Sequence, residues 1–308
     1  MRALLRLSLL ALGLSGGSAF AQNNEVAPLR GAFETGTLTT KWIAGSENCL
    51  RNTDPAIQVH EYNDNLVILR QNKCVNYEAP FMYLIFGAEK AILIDTGATR
   101  SASSFPLQKT VEGLLVAHYG ADARSDIELV VAHSHAHGDH VAGDAQFQGK
   151  ANTTVVGTSV SAVKKFFGIT QWPTEAVSFD LGGRVLDIMP LPGHEASHIA
   201  VYDEQTGLLL TGDTLYPGRL YIDNWAQYRT SVGRLVSYMG NKRVSHVLGA
   251  HIELSTTPGV DYPIGSSYHP NEHDLPLTFE TLKLLNKRLL AIGSTAKYDV
   301  QADFIIYP

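Results

Sequence analysis

The sequence predicts a mixed α/β fold (α/β or α+β) in which sheets are covered by helices. Three features carry this expectation. Apolar runs of strand length recur from about residue 60, segments with helical spacing alternate with them, and Gly, Pro, Asn or Asp marks the junctions. With 308 residues, 44% apolar and 18% charged, the composition is that of a globular protein and excludes a disordered chain or a fibre. A chain of this length buries roughly three quarters of its unfolded surface. The net charge of −6 disfavours nucleic acid as a partner, because phosphates demand a basic face.

The elements follow in order. Residues 1–21 read as a secretory signal: Arg2 and Arg6 open it, Leu7 to Leu14 is a short apolar run, and Ala19-Phe20-Ala21 is a small-x-small cleavage site. The run is too short for the roughly 20 residues of a spanning helix, and no later run is long enough. The expected mature chain is therefore a single domain over residues 22–308 with no membrane span, in a periplasm or outside the cell. Residues 22–60 are expected either to cap a groove or to supply an edge strand. Cys49 and Cys74 either form a disulfide, which an oxidising compartment permits, or stay as two buried thiols.

Leu66 to Leu69, Phe81 to Phe86 and Ala91 to Ile94 are strands by their apolar continuity, the last ending in Asp95-Thr96-Gly97. Pro106 to Tyr119 spaces Leu107, Val111, Leu114, Leu115 and His118 as a helix, and Gly120 stops it. Ile127 to Ala132 is a strand, Val155-Val156 another, and Val160 to Phe167 a helix. Arg184 to Leu191 is a strand ending at Pro192-Gly193. His198 to Tyr202 and Leu208 to Thr211 flank Gln205-Thr206-Gly207 as a hairpin. Trp225 to Met239 is helical, Val244 to Leu248 a strand, Phe279 to Leu290 a helix and Asp303 to Tyr307 a last strand. Residues 256–274, rich in Pro, Gly, Ser and Tyr, read as a long loop that opens a C-terminal loop-and-helix elaboration.

The chemistry concentrates after the strand ending at Ala132. There the chain reads His133-Ser134-His135-Ala136-His137-Gly138-Asp139-His140, with His135-x-His137-x-Asp139-His140 as the informative frame. In an extended segment His135 and His137 point to one side and can grip one ion. The chain is expected to tighten at Gly138, where φ is unrestricted, so that Asp139 and His140 open a helix and face a second ion. Three more metal-type residues follow strand ends: His194 after Pro192-Gly193, Asp213 after Gly212, and His251 after Gly249-Ala250. Open sheets place their sites beyond strand ends in this way.

With these motifs in order, the chain resembles the metallo-β-lactamase superfamily of hydrolases from roughly Leu66 to Glu253. The His-x-His-x-Asp-His frame is the specific part; Asp95-Thr96-Gly97, Pro192-Gly193-His194, Gly212-Asp213-Thr214 and Ala250-His251 gain weight from their order. The resemblance implies a four-layer αββα sandwich with two metals at one sheet edge. It assigns His135, His137 and His194 to one metal, Asp139, His140 and His251 to the other, Asp213 as the bridge, and Asp95 as the acid that orients a ligand. A cysteine at the bridging position marks one large group of true β-lactamases, and this chain has Asp213 there. Flavodiiron oxidases carry Glu where this chain has His137. The bridging Asp and the Pro192–His198 stretch are similar to glyoxalase II and lactonase-like members.

Imidazole and carboxylate donors without thiolate suit two zinc ions, with iron or manganese as alternatives. In such a pair, about 3.5–4 Å apart, the ions hold a hydroxide that attacks a carbonyl, with Asp139 and Asp213 as the residues at the chemistry. The implied activity is hydrolysis of a small-molecule ester, lactone, thioester or related amide; the alternatives are a β-lactamase, an iron-dependent sulfur dioxygenase, and a protein that only binds metal. Among other residues, Tyr216, Tyr221 and Trp225 are read as core packing rather than pocket lining. His269 and His273 are read as surface-loop residues and His133 as packing behind the site. His198 is either an orienting residue or structural, and His60, His118 and His246 are structural.

Overall fold

Strand residues alternate between faces, and the central strands of the two large sheets are buried on both, so each of these sheets must be covered twice. A computed structural model, describing residues 33–308, shows how. The expected signal segment lies outside the described residues. In chain order the elements are β1 (Ile57–Asn63), β2 (Leu66–Gln71), β3 (Phe81–Phe86), β4 (Lys90–Ile94), α1 (Leu107–Tyr119), β5 (Glu128–Ala132), α2 (Gly138–Val141), β6 (Thr153–Val155) and α3 (Val160–Phe167). Then come β7 (Val177–Asp180), β8 (Val185–Pro190), β9 (Ile199–Asp203), β10 (Leu208–Gly212), β11 (Arg219–Tyr221), α4 (Trp225–Met239), β12 (His246–Gly249), α5 (Phe279–Ile292), β13 (Asp299–Val300) and β14 (Ile305–Tyr307).

Strands β1 to β6 form one sheet in sequence order, a second runs β12-β10-β9-β8-β7, and β11-β14-β13 make a small third. In the first sheet β1 to β4 are antiparallel neighbours, while β4–β5 and β5–β6 are parallel. Parallel neighbours need a crossover, and α1 supplies the one from β4 to β5.

The burial alternation builds the layers. Ile68, Tyr83, Ile92 and Val130 of the first sheet meet Ile188, Val201, Leu210 and Leu248 of the second in one central core. On the outer face, Leu69, Met82, Leu93 and Val131 pack on Leu107, Val111 and Leu115 of α1. The other outer face carries Tyr202, Leu209 and Val247 against Val232 and Leu235 of α4 and Leu282 and Leu285 of α5. The result is the αββα sandwich, with two sheets between helices.

Most expected elements occur within a residue or two of their stated bounds. Differences lie at weak signals: Val244–Leu248 begins pairing only at His246, Asp303–Tyr307 only at Ile305, and the strands β7, β11 and β13 have no counterpart among the expected elements. The edge-strand alternative for the segment before residue 60 corresponds to β1, which pairs antiparallel with β2. Cys49 and Cys74 are bonded, with Cα atoms 5.1 Å apart. The link ties the segment before β1 to the loop between β2 and β3 and should add about 3 kcal/mol through loop closure. Among the described residues no helix is long and apolar enough to cross a membrane.

Candidate metal centre

Five strand ends converge at one edge of the sandwich. Asp95 leaves β4, His133 to His140 leave β5, His194 follows β8, Asp213 follows β10 and His251 follows β12. Three of these turns need glycine, that after β12 included: a Cβ on Gly249 would lie 2.3 Å from the Tyr216 Cβ and 2.5 Å from the Leu215 carbonyl oxygen. Gly193 has φ +144, and a Cβ there would lie 2.3 Å from the Tyr228 Cα. Gly212 has φ +48, and its Cβ would press on Ser134 and the His198 ring. Without glycine, His194 and Asp213 would not be delivered to the site. Gly138 behaves otherwise than expected: it is not among the positive-φ glycines, a Cβ there would meet nothing within 4 Å, and it is simply the first residue of α2. The tightening comes from helical geometry at α2.

The seven side chains expected as ligands fall into two groups. His135, His137 and His194 form one; Asp139, His140, Asp213 and His251 form the other, with donor atoms in each group within 4.8 Å of one another. In the first, His135 Nε2, His137 Nδ1 and His194 Nε2 lie 3.0–3.1 Å apart. In the second, His140 Nε2 and His251 Nε2 are 3.3 Å apart, and Asp139 Oδ2 is 3.3 Å from each. Asp213 lies between the groups. Its Oδ2 is 3.6 Å from His194 Nε2 and 3.9 Å from His135 Nε2, while its Oδ1 is 3.5 Å from His140 Nε2 and 3.4 Å from His251 Nε2.

For four of the five histidines the nitrogen turned away from these centres is spoken for. His194 Nδ1 donates to the Tyr221 carbonyl at 2.7 Å, His251 Nδ1 to the Glu78 carbonyl at 3.0 Å and His140 Nδ1 to Asp95 at 2.8 Å. Ser134 Oγ–H donates to Asp95 at 2.8 Å and accepts from His135 Nδ1 at 3.1 Å. In the neutral imidazoles each bond fixes a tautomer that leaves Nε2 as a lone pair aimed inward. Asp95 adopts φ +70, a sparsely used region for a side-chain-bearing residue, and is pinned there by the Ser134 N–H at 2.6 Å.

Lone pairs that face one another at about 3 Å repel, so the geometry fits a cation at each centre. A tetrahedral ion with nitrogen at about 2.0–2.1 Å holds its ligands about 3.3–3.4 Å apart. The buried Asp213 Oδ1 has no hydrogen-bond partner, which is unusual for a buried carboxylate and is relieved by a metal bond. The donor set of imidazoles and carboxylates suits a divalent cation, commonly zinc.

Electrostatics divides the groups. Burial, reinforced by the neighbouring imidazoles of His140 and His198, holds His135 well below its ordinary value. Burial also lowers His194, against the pull of Asp213. For His251 burial acts downward, but Asp213 and Asp139 outweigh it and raise the imidazole to about 9. His140 is likewise raised by Asp213 and Asp95 against its burial. Burial opposes ionisation of Asp139 and Asp213, yet the facing histidines hold both well below the usual carboxylate range.

His133 lies behind the cluster, 2.8 Å from Asp144. Of the two readings of His198, the orienting one fits its position: fully buried, it accepts the Asp213 N–H at 3.2 Å and stacks on His135. Tyr216 and Trp225 are packing residues, as expected: Tyr216 is buried against Leu215, Leu220 and Tyr228, and the Trp225 indole bonds the Gly293 carbonyl. Tyr221 contributes its backbone carbonyl to His194 rather than its ring. His269 departs from expectation. It is buried, stacked on Tyr262 at 4.0 Å and bonded to Glu272, because the loop over residues 256–274 folds back on the sheet edge. His273 lies at the surface side of that loop, beside Asp303.

Comparison with known proteins agrees with this architecture. Residues 76–251 match the family model described as the metallo-beta-lactamase superfamily. A hydroxyacylglutathione hydrolase from Rhizobium meliloti (strain 1021) is 28% identical over 135 residues, covering 41% of this chain and 52% of that protein. The bovine protein named acyl-coenzyme A thioesterase MBLAC2 is 27% identical over 207 residues, covering 58% and 71%. The chain spans about half the length of the curated relatives it first matches, 52% and 42% of two hydroxyacylglutathione hydrolases. A solved metallo-beta-lactamase from Pontibacter korlensis superposes with a TM-score of 0.50 at 18% identity, over 76% of this chain and 99% of that one; at that identity the likeness speaks to the fold.

Proposed function

The chain belongs to the metallo-beta-lactamase superfamily, and from that premise we propose that it is a dinuclear zinc hydrolase of a carbonyl substrate: an ester, a lactone, a thioester or a related amide. The observation that carries this reading is Asp213, which turns one carboxylate oxygen toward the His135/His194 pair and the other toward His140 and His251. A bridging carboxylate at that place implies two ions, held by His135, His137 and His194 on one side and Asp139, His140 and His251 on the other. When bound, such ions supply Lewis acidity and bring the pKa of a water down to about 7.

The protein's own groups do the rest. Asp95, Ser134 and the carbonyls of Glu78 and Tyr221 keep the imidazoles in one tautomer and orientation. His198 holds the Asp213 backbone. Asp139, the most exposed of the cluster's carboxylates at 23%, is the group placed to orient or receive a proton beside an incoming substrate. Relatives named for thioester cleavage make thioesters the first substrates to try. From the leader-like residues 1–21 we further propose that the mature protein works in a periplasm or outside the cell.

The test is a panel of ester, lactone, thioester and β-lactam substrates with zinc-loaded protein. Turnover of at least one carbonyl class is expected; a metal-loaded, folded protein that cleaves none of them removes the hydrolase reading.

A further inference from the structure

A second polar cavity adjoins the cluster. Lys73, Glu78, Arg219, Tyr221, Glu253 and His269 line a space of about 120 Å³. Two of these residues also belong to the metal-type cluster, since the Glu78 and Tyr221 carbonyls accept from His251 and His194. A third, Glu253, meets Tyr216, whose ring lies on His251.

Arg219 is committed at each nitrogen: its Nε donates to the Tyr221 hydroxyl, Nη1 to Asp261 and the Tyr262 carbonyl, and Nη2 to Glu253. Two other groups are not. The Lys73 ammonium has three protons to place on a side chain only 2% exposed. Its hydrogen bond is a long one, 3.3 Å to the Tyr77 carbonyl, and Glu272 stands off at 3.6 Å. His269 Nδ1 donates to Glu272 at 3.1 Å, so its Nε2 is a lone pair, and that atom is buried without a partner. The cavity thus presents an unused donor and an unused acceptor, each costly to bury unpaired. The cations of Lys73 and Arg219 already face the carboxylates of Glu272, Glu253 and Asp261, so an anionic occupant would bring uncompensated charge.

We propose that this cavity binds a neutral group that accepts from Lys73 and donates to His269, a carboxamide or a hydroxyl, and that it selects substrates carrying such a group near the scissile carbonyl. The volume admits about four waters at ~30 Å³ each, enough for a carboxamide. The binding part stands on the cavity alone; the substrate part rests on the hydrolase reading above.

The experiment has two arms. Acetamide and acetate are titrated into zinc-loaded protein carrying ¹⁵N-labelled Lys and His, observing Lys73 Nζ and His269 Nε2. Acetamide should shift both resonances with a dissociation constant in the millimolar range, reasonable for four heavy atoms, and acetate should bind about tenfold more weakly or not at all. The response should vanish in Lys73→Met and, read at Lys73, in His269→Phe, which keeps an aromatic ring against Tyr262. No acetamide response in the folded wild type, meaning that the cavity holds water only, overturns the proposal; so does acetate binding as tightly as acetamide. In the second arm, thioesters with a terminal carboxamide are compared with methyl-ketone analogues. A KM about tenfold lower for the carboxamide, with the ratio falling toward one in Lys73→Met, supports the substrate assignment. Equal KM values in the wild type overturn that assignment and leave the hydrolase reading intact. If neither thioester is cleaved, the hydrolase reading is what fails, and the acetamide titration still decides the cavity.

Discussion

Two buried charged clusters in this molecule differ in what their charges face. Arg70, wholly buried, meets Glu272 with two parallel bonds of 2.6 Å. That bidentate contact is the geometry of a structural ion pair, although the buried Arg70 Nε has no partner. In the His/Asp cluster, ring nitrogens confront one another at 3.0–3.3 Å, and a buried Asp213 oxygen finds no hydrogen-bond partner. In the first cluster opposite charges meet one another; the second is arranged around charge that the side chains do not supply. Burial and a density of charge are common to both, so neither identifies a site. What separates them is whether the lone pairs are used up within the protein.

The sharpest way to break this contrast is to remove the shared carboxylate. Asp213→Ala should lower kcat/KM on the best thioester by about a thousandfold or more while the melting temperature stays within a few degrees. Steady-state kinetics beside a thermal melt checks it, and unchanged turnover would count heavily against a bridging role. The opposite pattern is expected at the other cluster. Glu272→Ala strands a buried guanidinium and should cost about 3–5 kcal/mol of stability by urea unfolding, while bound zinc per chain stays unchanged.

The same pair predicts an acid limb. Burial opposes ionisation of Glu272, but Arg70 and His269 outweigh it and bring the carboxyl down to about 2. A depressed carboxylate stabilises the fold above its unfolded value near 4.3, and that contribution is lost as pH falls from there toward 2. Unfolding free energy measured across that window should fall with a slope that Glu272→Gln reduces. Next in size, replacing both Cys49 and Cys74 by Ser should remove about 3 kcal/mol, read from the shift in urea midpoint against the bonded protein. The smallest effect is expected at Asp95→Asn. It loosens the His140 tautomer and should weaken metal affinity about 10–100-fold, measured by competition with a chromophoric chelator; an unchanged affinity would make Asp95 a purely structural residue.

How legible this was depends on whether a signal is local. The His135-to-His140 frame sits in one stretch of chain after one apolar strand, so its chemistry could be read directly. His194, Asp213 and His251 could be read because the first two follow a glycine and the third follows Gly249-Ala250 at the end of an apolar run, and all three glycines are sterically required. The strands hardest to read are those without apolar continuity. β1 is an edge strand whose Ile57, Val59 and Tyr62 are interrupted by polar residues, with a register shift between Glu61 and Asn63. β7 is half-exposed throughout. The second cavity was invisible for a different reason: Lys73 and His269 are almost two hundred positions apart, and only the return of the loop over residues 256–274 makes neighbours of them. His269 was read as a surface residue because a Pro-rich loop usually runs outside; its stack on Tyr262 is a tertiary fact with no local signature. The Cys49–Cys74 bond is of the same kind, since spacing does not tell whether two Cα atoms approach each other.

The most direct measurement is zinc anomalous diffraction from a crystal of the zinc-loaded protein. Two peaks per chain are predicted, one within about 2.0–2.2 Å of donor atoms of His135, His137 and His194, the other equally close to Asp139, His140 and His251, with Asp213 in contact with both. A single peak away from Asp213, or zinc held by other residues while these seven side chains stay unligated, would contradict the two-ion centre.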